Sequence, residues 1–151
     1  MKKVWAYSIG APLSNKQLVE LIEETGNFVN NWTAHENKLQ ASVRLFEGCV
    51  LLVEVDEALY SASGCSIDKL QRFIQTLENK YQVPLLDRFR VPVNTSGKFS
   101  VLSSEEIKNG LKDGRLSAET LVLDTSVSNS VELSNWKQSL KNTWLKRYLG
   151  T

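Results

Sequence analysis

The chain has 151 residues, 42% hydrophobic and 23% charged, with 18 Lys and Arg against 17 Asp and Glu for a formal net charge of +1. This composition suits a folded domain that buries a core, and its near-balance of charge offers no general field to draw nucleic acid or an anionic membrane. Two cysteines give neither a disulfide framework nor a paired C-x-x-C zinc spacing, and no run of about 18 apolar residues marks a transmembrane helix.

Met1-Lys2-Lys3 is followed by no long apolar stretch, so no secretory signal is expected, and free thiols fit a cytoplasmic protein. Val4 to Ile9 is rich in aromatic and β-branched residues and predicts a first strand, which Gly10-Ala11-Pro12 ends. Ser14-Asn15-Lys16-Gln17 fits a capping box opening a helix with Leu18, Leu21, Ile22, Thr25, Phe28, Val29 and Trp32 on one side. Gly26 is tolerated within it at some cost. Ala41 to Phe46 alternates apolar with polar as a half-exposed strand does, Glu47-Gly48 makes a tight turn, and Cys49 to Val55 returns as a strand filled with aliphatic residues.

Ser61 to Asp68 then links that strand to a second amphipathic helix. Ile67, Leu70, Phe73, Ile74, Leu77 and Tyr81 recur at helical spacing as far as about Gln82, and Pro84 ends the run. Ser63 and Ser66 are candidate N-caps, Gly64 can admit a close approach or a positive φ, and Asp68 in the first turn would suit the helix dipole. Leu85 to Val93 predicts another strand with Phe89, Val91 and Val93 on one side.

The order strand, helix, strand, strand, helix, strand is that of the split βαβ, ferredoxin-like fold. The expected class is therefore α+β: a ferredoxin-like βαββαβ core with an antiparallel sheet over residues 1–94, and a mostly helical C-terminal extension over 95–151 packing on it as one unit. Within the extension, Asn94 to Lys98 reads as a turn and Phe99 to Leu102 as a short strand. Ser103-Ser104-Glu105-Glu106 opens a short helix closed by Gly114, and Leu121 to Leu123 is a brief strand. Trp136, Leu140, Trp144 and Tyr148, at spacings of four, predict a closing helix.

The chemistry-bearing candidates gather around Cys65. At a helix N-terminus the unpaired N–H groups and the dipole stabilise a thiolate and bind anions, so Cys65 with Ser63, Gly64, Ser66 and Asp68 forms a candidate ligand or anion site. Against this stands an inert small residue in a tight turn. His35, the one histidine, could orient or deprotonate the thiol, or be a polar tip at a helix end; Trp32 lies three residues before it. Arg88 could clamp an anion at the same helix start, although an ordinary Asp87-Arg88 ion pair or register lock competes. Asp56, Glu57, Asp68 and His35 show no diagnostic ligand spacing, so no metal site is assigned and no cofactor is named. Lys137, Lys141, Lys146 and Arg147, interleaved with Trp136 and Trp144, are of a type used on nucleic acid, but a helix C-terminus with core or interface tryptophans is the stronger reading. Gly97-Lys98 is no phosphate loop, and G-x-S-x-G is absent.

Trp32-x-x-His35, Ser63-Gly64-Cys65-Ser66-Ile67-Asp68, Asp87-Arg88 and Asn135-Trp136 … Asn142-Thr143-Trp144-x-x-Arg147-Tyr148-Leu149 together resemble an uncharacterised bacterial protein family. Some of its members carry the label ABC transporter ATPase. This chain has no Walker A loop and is short for such a domain. The resemblance spans nearly the whole chain and implies an identity without a mechanism.

Two functions follow as expectations. One is small-ligand or anion binding with thiol-dependent chemistry at Cys65. The other is a non-enzymatic protein-binding or self-associating module working through a sheet face or the tryptophan-bearing last helix. The partner is a small ligand, a protein or a second copy, with neither membrane nor nucleic acid expected.

Overall fold

The computed structural model describes residues 1–150. In chain order these form β1 (Lys2–Ser8), α1 (Asn15–Asn30), β2 (Thr33–Ala34), β3 (Asn37–Lys38), β4 (Gln40–Phe46) and β5 (Val50–Asp56). They continue as α2 (Gly64–Tyr81), β6 (Val91–Thr95), β7 (Lys98–Leu102), α3 (Ser104–Lys112), β8 (Leu121–Leu123), α4 (Ser130–Leu133) and β9 (Lys137–Ser139), and end in 3₁₀ turns over Leu140–Asn142 and Trp144–Tyr148. The class is α+β with antiparallel sheets.

The helices begin where side chains can cap them. Ser14 and Gln17 form a reciprocal capping box at α1, Ser63 and Ser66 at α2, and Ser103 and Glu106 at α3. The hairpins turn through left-handed pairs, Glu47 and Gly48 between β4 and β5, and Ser96 and Gly97 between β6 and β7, which matches strand twist.

The first sheet has the order β1-β5-β4. One face carries Tyr7, Leu51, Val53 and Val55 into a core with Leu21 and Val29 of α1 and Leu70, Ile74 and Leu77 of α2. The alternate residues Val4, Val50 and Leu52 meet Phe99, Leu123, Val127 and Trp136. Strand periodicity thus delivers β1 and β5 to two cores at once. The second sheet, β7-β6-β8-β9, packs its other face on α3 through Val91, Val93, Ile107, Leu116, Val122 and Leu140.

Two expectations need correction. The segment from Leu85 does not add a fourth strand to the first sheet. Glu78 accepts the Leu85 and Leu86 amides at 2.8 and 3.0 Å, and Asp87 to Arg90 closes a turn, so those backbone groups are spent before Val91. The strand that follows, β6, pairs with β7 and β8. Nor is the C-terminal part mostly helical: β7, β8 and β9 alternate with the short helices α3 and α4 and the two 3₁₀ turns, and the spacing-four row is split. Trp136 precedes β9 and packs edge-on against Phe46, while Leu140 opens a 3₁₀ turn and Trp144 another. A spacing of four places side chains on one side of a helix, but here β9 is held by its pairing to β8, and Thr143 caps the last turn instead of continuing a helix.

Candidate functional site

Of the residues singled out around Cys65, Trp32 bonds the Ser66 carbonyl in the first turn of α2, whereas no hydrogen bond ties His35 or Arg88 to the thiol among the described residues. Cys65 is exposed at the second position of α2, where Ser63 is the N-cap and Ser66, buried, completes the capping box. Gly64 has neither a positive φ nor a neighbour that a Cβ would touch, so its conformational freedom is unused. Asp68 is exposed and falls one residue beyond the first turn, which holds no acidic side chain. His35 sits exposed at the tip of the β2–β3 hairpin with φ of 51°. No hydrogen bond joins it to Cys65 among the described residues.

Trp32 is a core residue. It is 2% exposed, packs edge-on against Trp5 at 5.6 Å, and donates its indole N–H to the Ser66 carbonyl oxygen at 2.8 Å. It also borders a shallow groove of about 470 Å³ between α1 and α2, whose wall is the stacked pair Phe28 and Phe73. Among the described residues no three His, Cys, Asp or Glu side chains gather to hold a metal ion.

A larger cleft, about 1140 Å³, opens along the outer edge of β1 between the two sheets. It lies where a fourth strand of the first sheet would run. Antiparallel pairing makes alternate residues face alternate neighbours. The Ile9 amide donates to the Cys49 carbonyl, so in this register Tyr7, Trp5 and Lys3 bond β5 and the even-numbered residues face outward. Lys2 N–H reaches Ser130 Oγ at 2.9 Å, Val4 N–H reaches Ser128 O at 3.0 Å, and Gly10 N–H reaches Pro84 O at 2.8 Å. Ala6 and Ser8, between them, have no such partner among the described residues. Ser8 is 6% exposed, and its Oγ is buried without a hydrogen bond. A native structure leaves few such groups, and each calls for an explanation.

The cleft walls are basic and aromatic. Lys3, Arg88, Lys146 and Arg147 line it, and none has a carboxylate partner among the described residues. The two acids present are engaged: Asp87 pairs with Arg90 at 3.3 Å, and Asp124 accepts from the Ser126 amide at 3.0 Å. Phe89 and Trp144, 57% and 39% exposed, meet edge-on at 5.8 Å, with the Arg147 guanidinium 5.0 Å over the indole. The loop carrying Arg88 is anchored at both ends, by Gly10 N–H to Pro84 and by the Arg90 guanidinium to the Gly10 carbonyl at 3.1 Å.

Of the residues grouped around Cys65 by the sequence, Arg88 alone borders the cleft. Its partner is not Asp87, which belongs to Arg90. Ser8 and Ala6 carry no site expectation from the sequence, Phe89 only that of a strand residue, and Lys146, Arg147 and Trp144 only the weaker nucleic-acid alternative to a helix C-terminus. The one local sign was a polar Ser8 at the end of an otherwise apolar row, Val4-Ala6-Ser8. No family model, no curated protein and no solved structure matches this chain.

Proposed function

We propose that the protein is a non-enzymatic binding module that takes an anionic ligand in the cleft beside β1. One observation carries the reading: among the described residues, a buried hydroxyl without a partner, Ser8 Oγ, lies next to an unpaired length of strand in a hollow whose four cationic side chains have no carboxylate partner. Four positive groups against the two engaged acids contrast with a whole-chain charge of +1, so the positive field is local. Within this reading the first sheet and its two helices are a ferredoxin-like unit that lacks its outer strand. The likeness to the bacterial family stands on the same footing, since its motifs start α2 and end the chain.

Trp144 reports on the cleft. Emission should shift on titration with at least one class of anion among mononucleotides, polyglutamate, acidic peptides and single-stranded oligonucleotides. The shift should vanish in Trp144→Phe, and the affinity should drop in Arg88→Glu/Lys146→Glu. Silence toward every class removes the reading.

A second reading keeps thiol chemistry at Cys65, favoured by its exposure at the start of a capped helix. Inhibition of a measured activity by alkylation, absent in Cys65→Ser, is what it requires.

A further inference from the structure

We infer that the ligand of the cleft is an extended acidic polypeptide segment, which lies alongside β1 as the missing outer strand of the first sheet. The inference rests on the cleft being the binding site, and it adds what the ligand is.

The backbone makes the case first. Val4 and Gly10 are paired on β1's outer side at 3.0 and 2.8 Å. They are six residues apart, or about 20 Å of strand. The N–H and C=O groups of Ala6 and Ser8 between them offer a short ladder with the spacing that only another extended chain matches. A peptide of about six residues fills that length. Adding a strand to an open edge is a general mode of peptide recognition in which main-chain hydrogen bonds supply affinity and flanking pockets supply selectivity. The neighbouring edge is already covered at both ends, so the open length is short and does not invite indiscriminate edge pairing.

Size and charge agree. At about 1140 Å³ the cleft exceeds the roughly 300–1,000 Å³ of small-molecule sites. Side chains of an added strand alternate between the faces of the sheet. Those on one side would approach Ser8 Oγ; those reaching the rim would meet Arg88 and Lys146, whose charges call for Glu or Asp. Phe89 and Trp144 offer apolar surface at the mouth.

The test uses the full chain and a capped, fluorescein-labelled peptide alternating Glu and Val, read by anisotropy. The same peptide N-methylated on alternate amides, a Lys–Val version, free glutamate, inorganic phosphate and oligothymidylate complete the panel. The Glu–Val peptide should bind. N-methylation should weaken it more than about tenfold, since several main-chain bonds go at once, and the Lys–Val version should not bind. Ser8→Ala should lose about five- to tenfold in peptide affinity while melting no lower than the parent. Ala6→Pro, which removes an outward N–H and leaves the β5 ladder intact, is the second variant and should also weaken binding. Equal binding of the N-methylated peptide overturns the strand. Binding of only small anions or only oligothymidylate overturns the peptide and leaves the anion-binding cleft standing. Binding of nothing in the panel removes both.

Discussion

The indole N–H of Trp32 donates to the carbonyl oxygen of Ser66 at 2.8 Å, across 34 residues of sequence. This bond ties the end of α1 to the first turn of α2, and both partners are buried. The Trp5 and Phe28 rings pack against the same indole. Trp32→Phe should remove the bond and some volume, at about 1–3 kcal/mol; Trp32→Ala should cost about 3–5 kcal/mol. Urea unfolding with unchanged slope measures both. A Trp32→Phe variant as stable as the parent would mean that the bond contributes nothing.

The two cysteines should behave as separate classes. Burial first, and the Glu47 carboxylate second, push the Cys49 thiol up to about 11, and its sulfur donates to the Phe46 carbonyl at 3.4 Å. Cys65 is exposed. Because the thiolate is the nucleophile, iodoacetamide near neutral pH should modify Cys65 roughly a hundredfold faster than Cys49. Peptide mapping by mass spectrometry should find Cys49 labelled only after denaturation. Similar rates at both sites in the native protein would contradict the burial of Cys49.

Local chemistry was readable in the sequence; non-local pairing was not. Ser14, Ser63 and Ser103 announce their helices because a cap is made within three residues. Glu47-Gly48 announces its hairpin because the turn demands left-handed backbone. The fate of Leu85 to Val93 depended on Glu78 taking two amides and on which sheet Val91 and Val93 would enter, and neither has a local signature. Trp136, Leu140 and Trp144 misled because a spacing of four is also produced by chance along a strand and two tight turns. The cleft had the least trace, being defined by what β1 does not pair with. Arg88 entered it by side-chain chemistry. His35 and Cys65 are matched in the sequence only by reactivity, which says nothing about distance.

Gly10 closes one end of the cleft under tight steric limits. A Cβ there would lie 2.7 Å from Arg90 Cδ, 2.9 Å from Pro84 Cβ and 3.0 Å from the Pro84 carbonyl oxygen. The arginine can move, but the proline backbone holds the Gly10 amide at 2.8 Å and moves only with the loop. Gly10→Ala should cost about 1–3 kcal/mol and displace Arg88 with the loop. Gly64→Ala is the control: beyond its chain neighbours and its own helical turn nothing lies within 4 Å of its added methyl, so its stability should stay within about 0.5 kcal/mol. Equal effects of the two substitutions in urea unfolding would refute the crowding at Gly10.

Acid and alkali should each loosen the contact between the helices, through one cluster. Burial pushes the Glu24 carboxyl up, but hydrogen bonds from Lys80 and Tyr81, with the Lys80 charge, outweigh it and hold the group below its ordinary 4.5. A depressed folded value means stability that is present above 4.5 and lost as pH falls through the folded value. Tyr81 runs the other way. Burial and then its bond to Glu24 at 2.9 Å push its phenol above 10.0, so its contribution holds below that pH and fades as pH rises beyond it. Glu24→Gln should flatten the acid limb of the stability profile below about pH 4.5 and shrink the alkaline one, because the amide still accepts from Tyr81 but carries no charge to oppose the phenolate. Urea midpoints across the pH range, parent against variant, give the comparison. Parallel profiles would place the acid sensitivity elsewhere, with Glu132, which the Ser128 amide and hydroxyl hold below its ordinary value, as the next carboxylate to replace.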